Sequence, residues 1–209
     1  MIKRMRGSLF RNGWAMAAFA GFLAAAVPEG AAQSAPALPA GDLVRVCRAR
    51  ACFESWKDSE DQKLRLSGIA KRAYLWMDIY SAALYLPPAV KTATRGVPDG
   101  PKIMVLEYHR PVDKARIIES IVRNVENNEA VDKKKVRPRL DQLTEVLEAP
   151  GEGDRYEFQF VPGKGTTVSK DGAVKTLIPG DDFAFAFFGI WLYEHTGDAA
   201  RRRQLLGLE

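Results

Sequence analysis

Residues 156–178 read YEFQFVPGKGTTVSKDGAVKTLI and predict three consecutive strands joined by two turns. The first six residues alternate aromatic and polar side chains, which is the period of a strand with one buried face. The segment PGKG that follows is typical of a turn, and the pair Asp171-Gly172 favours the backbone geometry of a tight hairpin. A β-meander of this kind indicates an antiparallel sheet.

The glycine-rich turn of this meander resembles a phosphate-binding loop in composition only. A phosphate-binding loop carries its lysine directly after its second glycine, and a helix follows the loop. Here Lys164 precedes Gly165, and the next segment, TTVSK, predicts a strand. The sequence therefore does not predict a phosphate-binding loop.

The chain upstream of the meander contains further strand-like segments. Residues 63–87, KLRLSGIAKRAYLWMDIYSAALYLP, are rich in β-branched and aromatic side chains and predict a hairpin or two long strands. Residues 102–110 predict one more strand, and residues 43–53, LVRVCRARACF, have moderate strand character. The polar segment WKDSEDQK at residues 56–63 predicts a turn.

Helical periodicity appears on both sides of the meander. Residues 113–128 and 136–149 carry apolar side chains at helical spacing, and Asp113 stands where a helix N-cap is expected. Residues 179–198 are too aromatic for one stripe and predict a buried helix, and residues 199–207 predict a short terminal helix. The order of strands, helices, strands and helices predicts an α+β domain, an antiparallel β-sheet with helices packed on one face.

The N-terminus has the three parts of a secretory signal peptide. Residues 1–11 carry four basic side chains and no acid, residues 13–27 are apolar, and Gly30 and Ala32 form a small-x-small cleavage site. An apolar run of this length is short for a membrane span, which needs about 20 residues, although a retained anchor helix is the alternative. The sequence predicts cleavage after Ala32, a flexible lead-in at residues 33–42, and a periplasmic or secreted protein with no stable membrane span after cleavage.

Export would change the net charge of the chain and the redox environment of its two cysteines. Removal of residues 1–32 lowers the formal net charge from +5 to +2, because four bases and one acid lie there, and no nucleic-acid partner is predicted. Cys47 and Cys52 would meet an oxidising compartment, and a turn between them would allow a disulfide. Because the flanking Val44, Val46 and Phe53 favour extended backbone, the prediction is that both thiols are free.

Residues 66–87 resemble the early strand pair of the chalcone isomerase-like superfamily. The matching pattern is a glycine, a short apolar spacer, an arginine and an aromatic strand that ends in Leu-Tyr-Leu. Its members in this chain are Gly68, Arg72, Tyr80, Leu84, Tyr85 and Leu86. The helix that contains Asn124, the PGKGTTV hairpin, the turn DGAVKTLIPGDDFA and the terminal RQLLG follow in the family's order. The resemblance covers residues 53–208, is strongest to the exported, non-plant bacterial branch, and implies an open-faced sandwich at residues 43–209.

The resemblance also implies where a family active site would lie. Chalcone isomerases close a flavonoid ring with an arginine on the early strand, a threonine on the next strand, and a tyrosine and an asparagine seven residues apart on the following helix. These four positions correspond to Arg72, Tyr80, Ile117 and Asn124. Isoleucine can donate neither a proton nor a hydrogen bond, so the prediction is that ring closure is lost, and no catalytic residue is assigned.

The superfamily also contains non-catalytic fatty-acid-binding members, which hold an acyl chain between sheet and helices. The resemblance therefore implies a small apolar or fatty-acid-type ligand, and no cofactor or metal is predicted. The predicted ligand-binding residues are Arg72, Tyr80, Ile117, Ile121 and Asn124. Two alternatives stay open, an isomerase or lyase that acts through Arg72, and a structural or partner-binding envelope protein. Arg72 could instead pair with an acid beside a closed cleft, and Asn124 could satisfy backbone groups.

Overall fold

The structure, a computed structural model, describes residues 44–60, 62–90, 97–194 and 197–208. The described residues form nine strands and four helices. In chain order these are β1 (Arg45–Arg48), β2 (Ala51–Glu54), β3 (Trp56–Ser59), β4 (Gln62–Tyr74), β5 (Met77–Leu86), β6 (Lys102–Tyr108), α1 (Lys114–Glu126), α2 (Lys133–Val146), β7 (Arg155–Val161), β8 (Gly165–Lys170), β9 (Ala173–Ile178), α3 (Asp181–Leu192) and α4 (Ala199–Leu205).

Seven strands form one antiparallel sheet in which the spatial order follows the chain order from β3 to β9. Each strand pairs with the next one along the chain, and the two helices α1 and α2 are inserted between β6 and β7. The meander predicted at residues 156–178 is confirmed as β7, β8 and β9. This architecture confirms the α+β class predicted from the sequence.

The two faces of the sheet have different covers. One face packs against all four helices in a single apolar cluster, here called the helix-side cluster. Helix α1 contributes Ile121 to it and α4 contributes Leu205. The other face packs against the β1–β2 hairpin, whose Phe53 contacts a smaller cluster that includes Tyr85 and Val105. The helices therefore lie on one face, as the sequence predicted, and a β-hairpin covers part of the opposite face.

Helix α3 lies at the centre of the helical layer. Nine of its twelve residues are buried, and it contacts each of the other three helices. Its phenylalanines pack against sheet aromatics, with ring centroids of Phe187 and Phe158 4.6 Å apart. The prediction of a buried helix from this aromatic sequence is confirmed, because a helix that is apolar on every side has no solvent-facing stripe.

The prediction of two free cysteine thiols is wrong. Cys47 of β1 lies directly opposite Cys52 of β2, their Cα atoms are 4.0 Å apart, and their sulfur atoms form a disulfide. The two strands reverse at Ala49 and Arg50, which have φ values of 56° and 71°. Positive φ at both central residues matches the twist of a two-residue hairpin, so the segment is two short strands and not one long one.

The polar turn predicted at residues 56–63 is right only at its centre: the chain reverses at Glu60, between Ser59 and Gln62, whereas Trp56–Ser59 is the edge strand β3. Its polar side chains have polar partners on β7: the Nζ atom of Lys57 donates to Glu157 at 2.6 Å, and the amide of Gln159 donates to Ser59 at 3.0 Å. An edge strand needs fewer apolar side chains than a central one, so its sequence does not show the strand pattern.

The predicted signal peptide at residues 1–32 and the predicted lead-in at residues 33–42 lie outside the described residues. Among the helices of the described ranges, none combines the length and the apolar composition that a membrane crossing requires.

Candidate functional site

Arg72 and Tyr80 are paired neighbours on β4 and β5, at the end of these strands nearest to their connecting turn. Tyr80 pairs in turn with Tyr108 of β6, and its ring packs against the helix-side cluster. Because directly opposed residues of an antiparallel pair point to the same face, Arg72 lies on the helix side of the sheet edge. The structure therefore brings these two predicted residues together.

The guanidinium of Arg72 is half exposed and its ion pair is long. Its Nη1 atom lies 4.0 Å from the Asp198 carboxylate, and the Arg72 side chain is 46% exposed. Asp198 caps helix α4 by accepting a hydrogen bond of 2.9 Å from the backbone N–H of Arg201. The Nη1 atom of Arg201 lies 3.3 Å from the same carboxylate, so one acid serves two arginines and leaves positive charge at this edge.

The hydroxyl of Tyr80 takes part in a contact between sheet and helix. It accepts a hydrogen bond of 3.0 Å from the indole N–H of Trp191 on α3. The rings of Tyr80 and Tyr108 are 5.6 Å apart at a tilted angle, and burial raises the pKa of Tyr108 well above its usual range. An aromatic, poorly hydrated layer therefore begins directly beside Arg72 and extends under the helices.

The three predicted residues of helix α1 have two different environments. Ile121 is buried in the helix-side cluster and Ile117 is half-buried against it, so both belong to the apolar layer that also contains the Tyr80 ring. Asn124 instead donates a hydrogen bond of 2.7 Å from its amide to the backbone carbonyl of Ser120, one turn earlier in its own helix. This bond matches the backbone-satisfying alternative for Asn124.

Two residues of this site were not found from the sequence. Asp198 and Trp191 lie on or beside the last two helices, far along the chain from Arg72 and Tyr80. Asp198 reads in the sequence as a helix N-cap, and Trp191 reads as part of a buried helix. Neither local pattern identifies the residue that the side chain contacts. Only the packing of α3 and α4 against the early strands brings these groups together.

A cavity of about 300 Å³ lies at the opposite end of β4 and β5. Its wall contains Arg65, which pairs with Leu86 and so lies on the same face of β4 as Arg72. The rest of the wall is formed by Leu66, Ser67, Leu86, Pro87, Pro88, Val90, Leu206 and Gly207. This second arginine beside apolar side chains provides an internal comparison for Arg72.

A second cavity, of about 310 Å³, lies on the other face of the sheet beside the disulfide hairpin. Its wall contains the Lys57–Glu157 ion pair and Arg155, whose guanidinium contacts the Glu107 carboxylate and donates to the Cys52 carbonyl at 2.8 Å. Both the ion pair and Arg155 therefore have protein partners.

A family model described as chalcone isomerase-like matches residues 49–207. The chain belongs to the chalcone isomerase-like family. The crystal structure of a fatty-acid binding protein from Arabidopsis thaliana has the same fold, with a TM-score of 0.60. The two chains are 14% identical, and the match covers 79% of this chain and 97% of that one. No curated protein sequence matches the chain.

In this chalcone isomerase-like protein, Ile117 is the helix position at which the family resemblance predicts the loss of a tyrosine. The structure places this isoleucine in the apolar layer, half-buried against the helix-side cluster. The side chain therefore adds apolar surface to the candidate site and no acid–base group. Arg72 remains the one charged member of the predicted residue set.

Proposed function

We propose that this protein binds a small apolar ligand with an acidic head group, of the fatty-acid class, and performs no reaction on it. The observation that carries the proposal is the position of Arg72, a half-exposed arginine whose paired neighbour Tyr80 belongs to the aromatic layer. In this arrangement the acyl chain lies against the helix-side cluster and the carboxylate meets the guanidinium. The fatty-acid binding protein with the same fold supports this assignment of ligand class.

Arg72 suits a carboxylate for geometric and electrostatic reasons. A guanidinium offers a planar fork of N–H donors that matches the two oxygens of a carboxylate. Its present partner, Asp198, is 4.0 Å away and is also close to Arg201, so a ligand carboxylate can join Arg72 without leaving Asp198 unpaired. The buried helix-side cluster beside Arg72 is the apolar environment that a hydrocarbon chain requires.

The groups around Arg72 support binding and not catalysis. The Tyr80 hydroxyl already accepts from Trp191, and Ile117 has no titratable group. The Asp198 carboxylate is shared between Arg72 and Arg201 and accepts the backbone N–H of Arg201, so its oxygens already serve the scaffold. A binder needs only the arginine and the apolar surface.

The test compares two arginines of the same strand. The full chain is titrated with a long-chain fatty acid and the binding is measured by calorimetry. Wild type, Arg72→Ala and Arg65→Ala are compared. Charge-assisted hydrogen bonds contribute about 1.5–3 kcal/mol each, so Arg72→Ala should weaken binding roughly ten- to a hundredfold. Arg65→Ala removes the same charge from the same face of β4 and should leave the affinity unchanged.

Three outcomes contradict the proposal. If wild type binds no fatty acid, the ligand class is wrong. If Arg65→Ala weakens binding and Arg72→Ala does not, the head group lies in the cavity beside Arg65. If Arg72→Ala melts far below wild type, Arg72 is a scaffold residue, because a half-exposed ion pair at 4.0 Å should contribute at most about 1 kcal/mol.

We also propose that the protein is exported and works in the periplasm or outside the cell. The Cys47–Cys52 disulfide supports this proposal, because structural disulfides persist in oxidising compartments. N-terminal sequencing of protein purified from its native envelope should begin near Gln33. A chain that starts at Met1 and remains in the membrane fraction would show a retained anchor instead.

A further inference from the structure

The turn between β4 and β5 extends beyond the rest of the sheet. Residues 73–78, here called the hairpin tip, make no lateral strand pairing among the described residues, because the last backbone bond toward β6 joins the His109 N–H to the Ile79 carbonyl at 2.9 Å. Strand β3 pairs only with the Gln62–Arg65 end of β4, and the pairing between β5 and β6 begins at Tyr80. The hairpin tip therefore projects from the sheet edge as a two-stranded ribbon.

Large apolar side chains are concentrated on this projection. Tyr74 is 60% exposed, Leu75 73% and Trp76 83%, and Trp76 is the most exposed large apolar residue of the described chain. Leu75 also has a φ of 55°, a backbone region in which a bulky side chain is uncommon. Folding gains little from these three consecutive side chains, since most of their surface stays in contact with water. Contiguous exposed apolar surface of this kind is typical of an interaction site.

Positive charge surrounds the base of the hairpin tip. Lys71 and Arg72 precede it on β4, and the β1–β2 turn carries Arg50 beside it, because the Ser81 hydroxyl donates to the Ala49 carbonyl at 2.6 Å. The pKa of Asp78 is lowered by its hydrogen bond with Lys71, and the charge of Arg50 lowers it further. Asp78 pairs with Lys71 at 2.8 Å, so Arg50 and Arg72 supply the excess of positive charge.

We propose that the hairpin tip is a docking surface for an anionic lipid bilayer. Tyrosine and tryptophan prefer the headgroup level of a membrane, where their rings are buried and their polar atoms stay hydrated. Basic side chains next to an anionic membrane surface strengthen binding to it, and Arg50 and Arg72 are placed to supply this attraction. The inference stands on the hairpin tip alone and does not require that the protein bind a fatty acid.

The experiment reports on the hairpin tip within the full chain. Ala73 is exposed at the base of the tip, so Ala73→Cys can carry an environment-sensitive fluorophore while Tyr74, Leu75 and Trp76 remain. The matched control is Val174→Cys, labelled in the same way, because Val174 is 68% exposed on the distant edge strand β9. Both proteins are titrated with vesicles of equimolar phosphatidylcholine and phosphatidylglycerol, and with vesicles of phosphatidylcholine alone.

The fluorophore at position 73 should shift to an apolar emission with the anionic vesicles, while the one at position 174 should not. Trp76→Ala in the Ala73-labelled chain should raise the lipid concentration at half change at least tenfold, because it removes the largest apolar side chain of the hairpin tip. Arg50→Ala should raise the same concentration roughly fivefold.

Four results would overturn the inference. The first is no change at position 73, and the second is an equal change at both positions, which means that the whole surface adsorbs without insertion of the tip. The third is an equal response to neutral vesicles, which removes the anionic specificity. The fourth is a change that follows protein concentration without lipid, which identifies a second copy of the chain as the occupant.

Discussion

The indole N–H of Trp191 donates a hydrogen bond of 3.0 Å to the hydroxyl of Tyr80, across 111 residues of chain. The bond joins the central helix α3 to strand β5 and fixes the Tyr80 ring beside Arg72. Trp191 is buried, and the Tyr80 hydroxyl is the acceptor for its indole N–H. The geometry of the candidate site therefore depends on a contact between the first and last parts of the fold.

Removal of this hydrogen bond should destabilise the protein. Tyr80→Phe keeps the ring and leaves the Trp191 N–H without its acceptor, so the free energy of unfolding should fall by about 1–2 kcal/mol. Urea denaturation of Tyr80→Phe, Trp191→Phe and the double variant measures the coupling between the two residues. Strictly additive effects would show that the bond contributes nothing.

The disulfide hairpin provides a second prediction. In the chain-entropy description, a crosslink that closes a loop as short as the one between Cys47 and Cys52 stabilises the folded state by about 2 kcal/mol. Thermal unfolding with and without reductant should show this difference, and a Cys47→Ser/Cys52→Ser variant should match the reduced wild type. Thiol titration of denatured, unreduced protein should find no free thiol. Two free thiols would contradict the observed pairing.

Gly68 lies where strand β4 closely approaches the backbone of α4. A Cβ atom at this position would lie 1.9 Å from the Gln204 carbonyl oxygen and 2.8 Å from that of Leu205, both backbone atoms of the α4 region. Gly68→Ala should therefore displace α4 and cost roughly 3 kcal/mol of unfolding free energy. Gly197→Ala is the control, since a Cβ there meets no atom within 4 Å, and its effect should stay within about 0.5 kcal/mol. Equal melting temperatures would show that α4 moves freely.

Much of this fold was predictable because its periodic patterns are strong. The alternating aromatic side chains of β7 and the dense aromatic sequence of α3 identify elements whose burial is decided locally. The disulfide was missed because Ala49 and Arg50 adopt positive φ without the glycine or asparagine that usually signals it. Strand β3 was missed because its side chains are polar. Their partners lie on β7, one hundred residues away, and the local sequence pattern does not indicate them.

The candidate site was predictable in part, and only through the resemblance to the family. Arg72 and Tyr80 are adjacent as expected, since both belong to the same strand pair. The two groups that hold them, Asp198 and Trp191, come from α4 and α3 and are defined by helix packing. The chemistry of a strand can thus be read from its sequence, whereas the partners that orient its side chains cannot.

The buried lysine on β6 leads to the last prediction. Lys102 is 3% exposed, its Nζ donates to the Gly100 carbonyl at 2.8 Å, and it lies 4.2 Å from the Phe160 ring centroid. Burial lowers the pKa of Lys102 to about 8, although the charges of Asp99 and Asp181 partly oppose the effect. The unfolded chain therefore keeps this proton up to about pH 10.5, while the folded chain begins to release it near pH 8.

Because the unfolded state binds more protons between these two values, stability should rise with pH, by roughly 1.5 kcal/mol from pH 8 to 9.5. The measurement stops there, since burial raises the pKa values of Tyr85 and Tyr108 and their ionisation on unfolding reverses the trend at higher pH. Lys102→Met keeps the apolar stem beside Phe160 without the titrating group, so its urea midpoint should be almost constant over the same interval. If Lys102→Met retains the slope, another group is responsible, and if wild type shows no slope, Lys102 remains protonated in the folded protein.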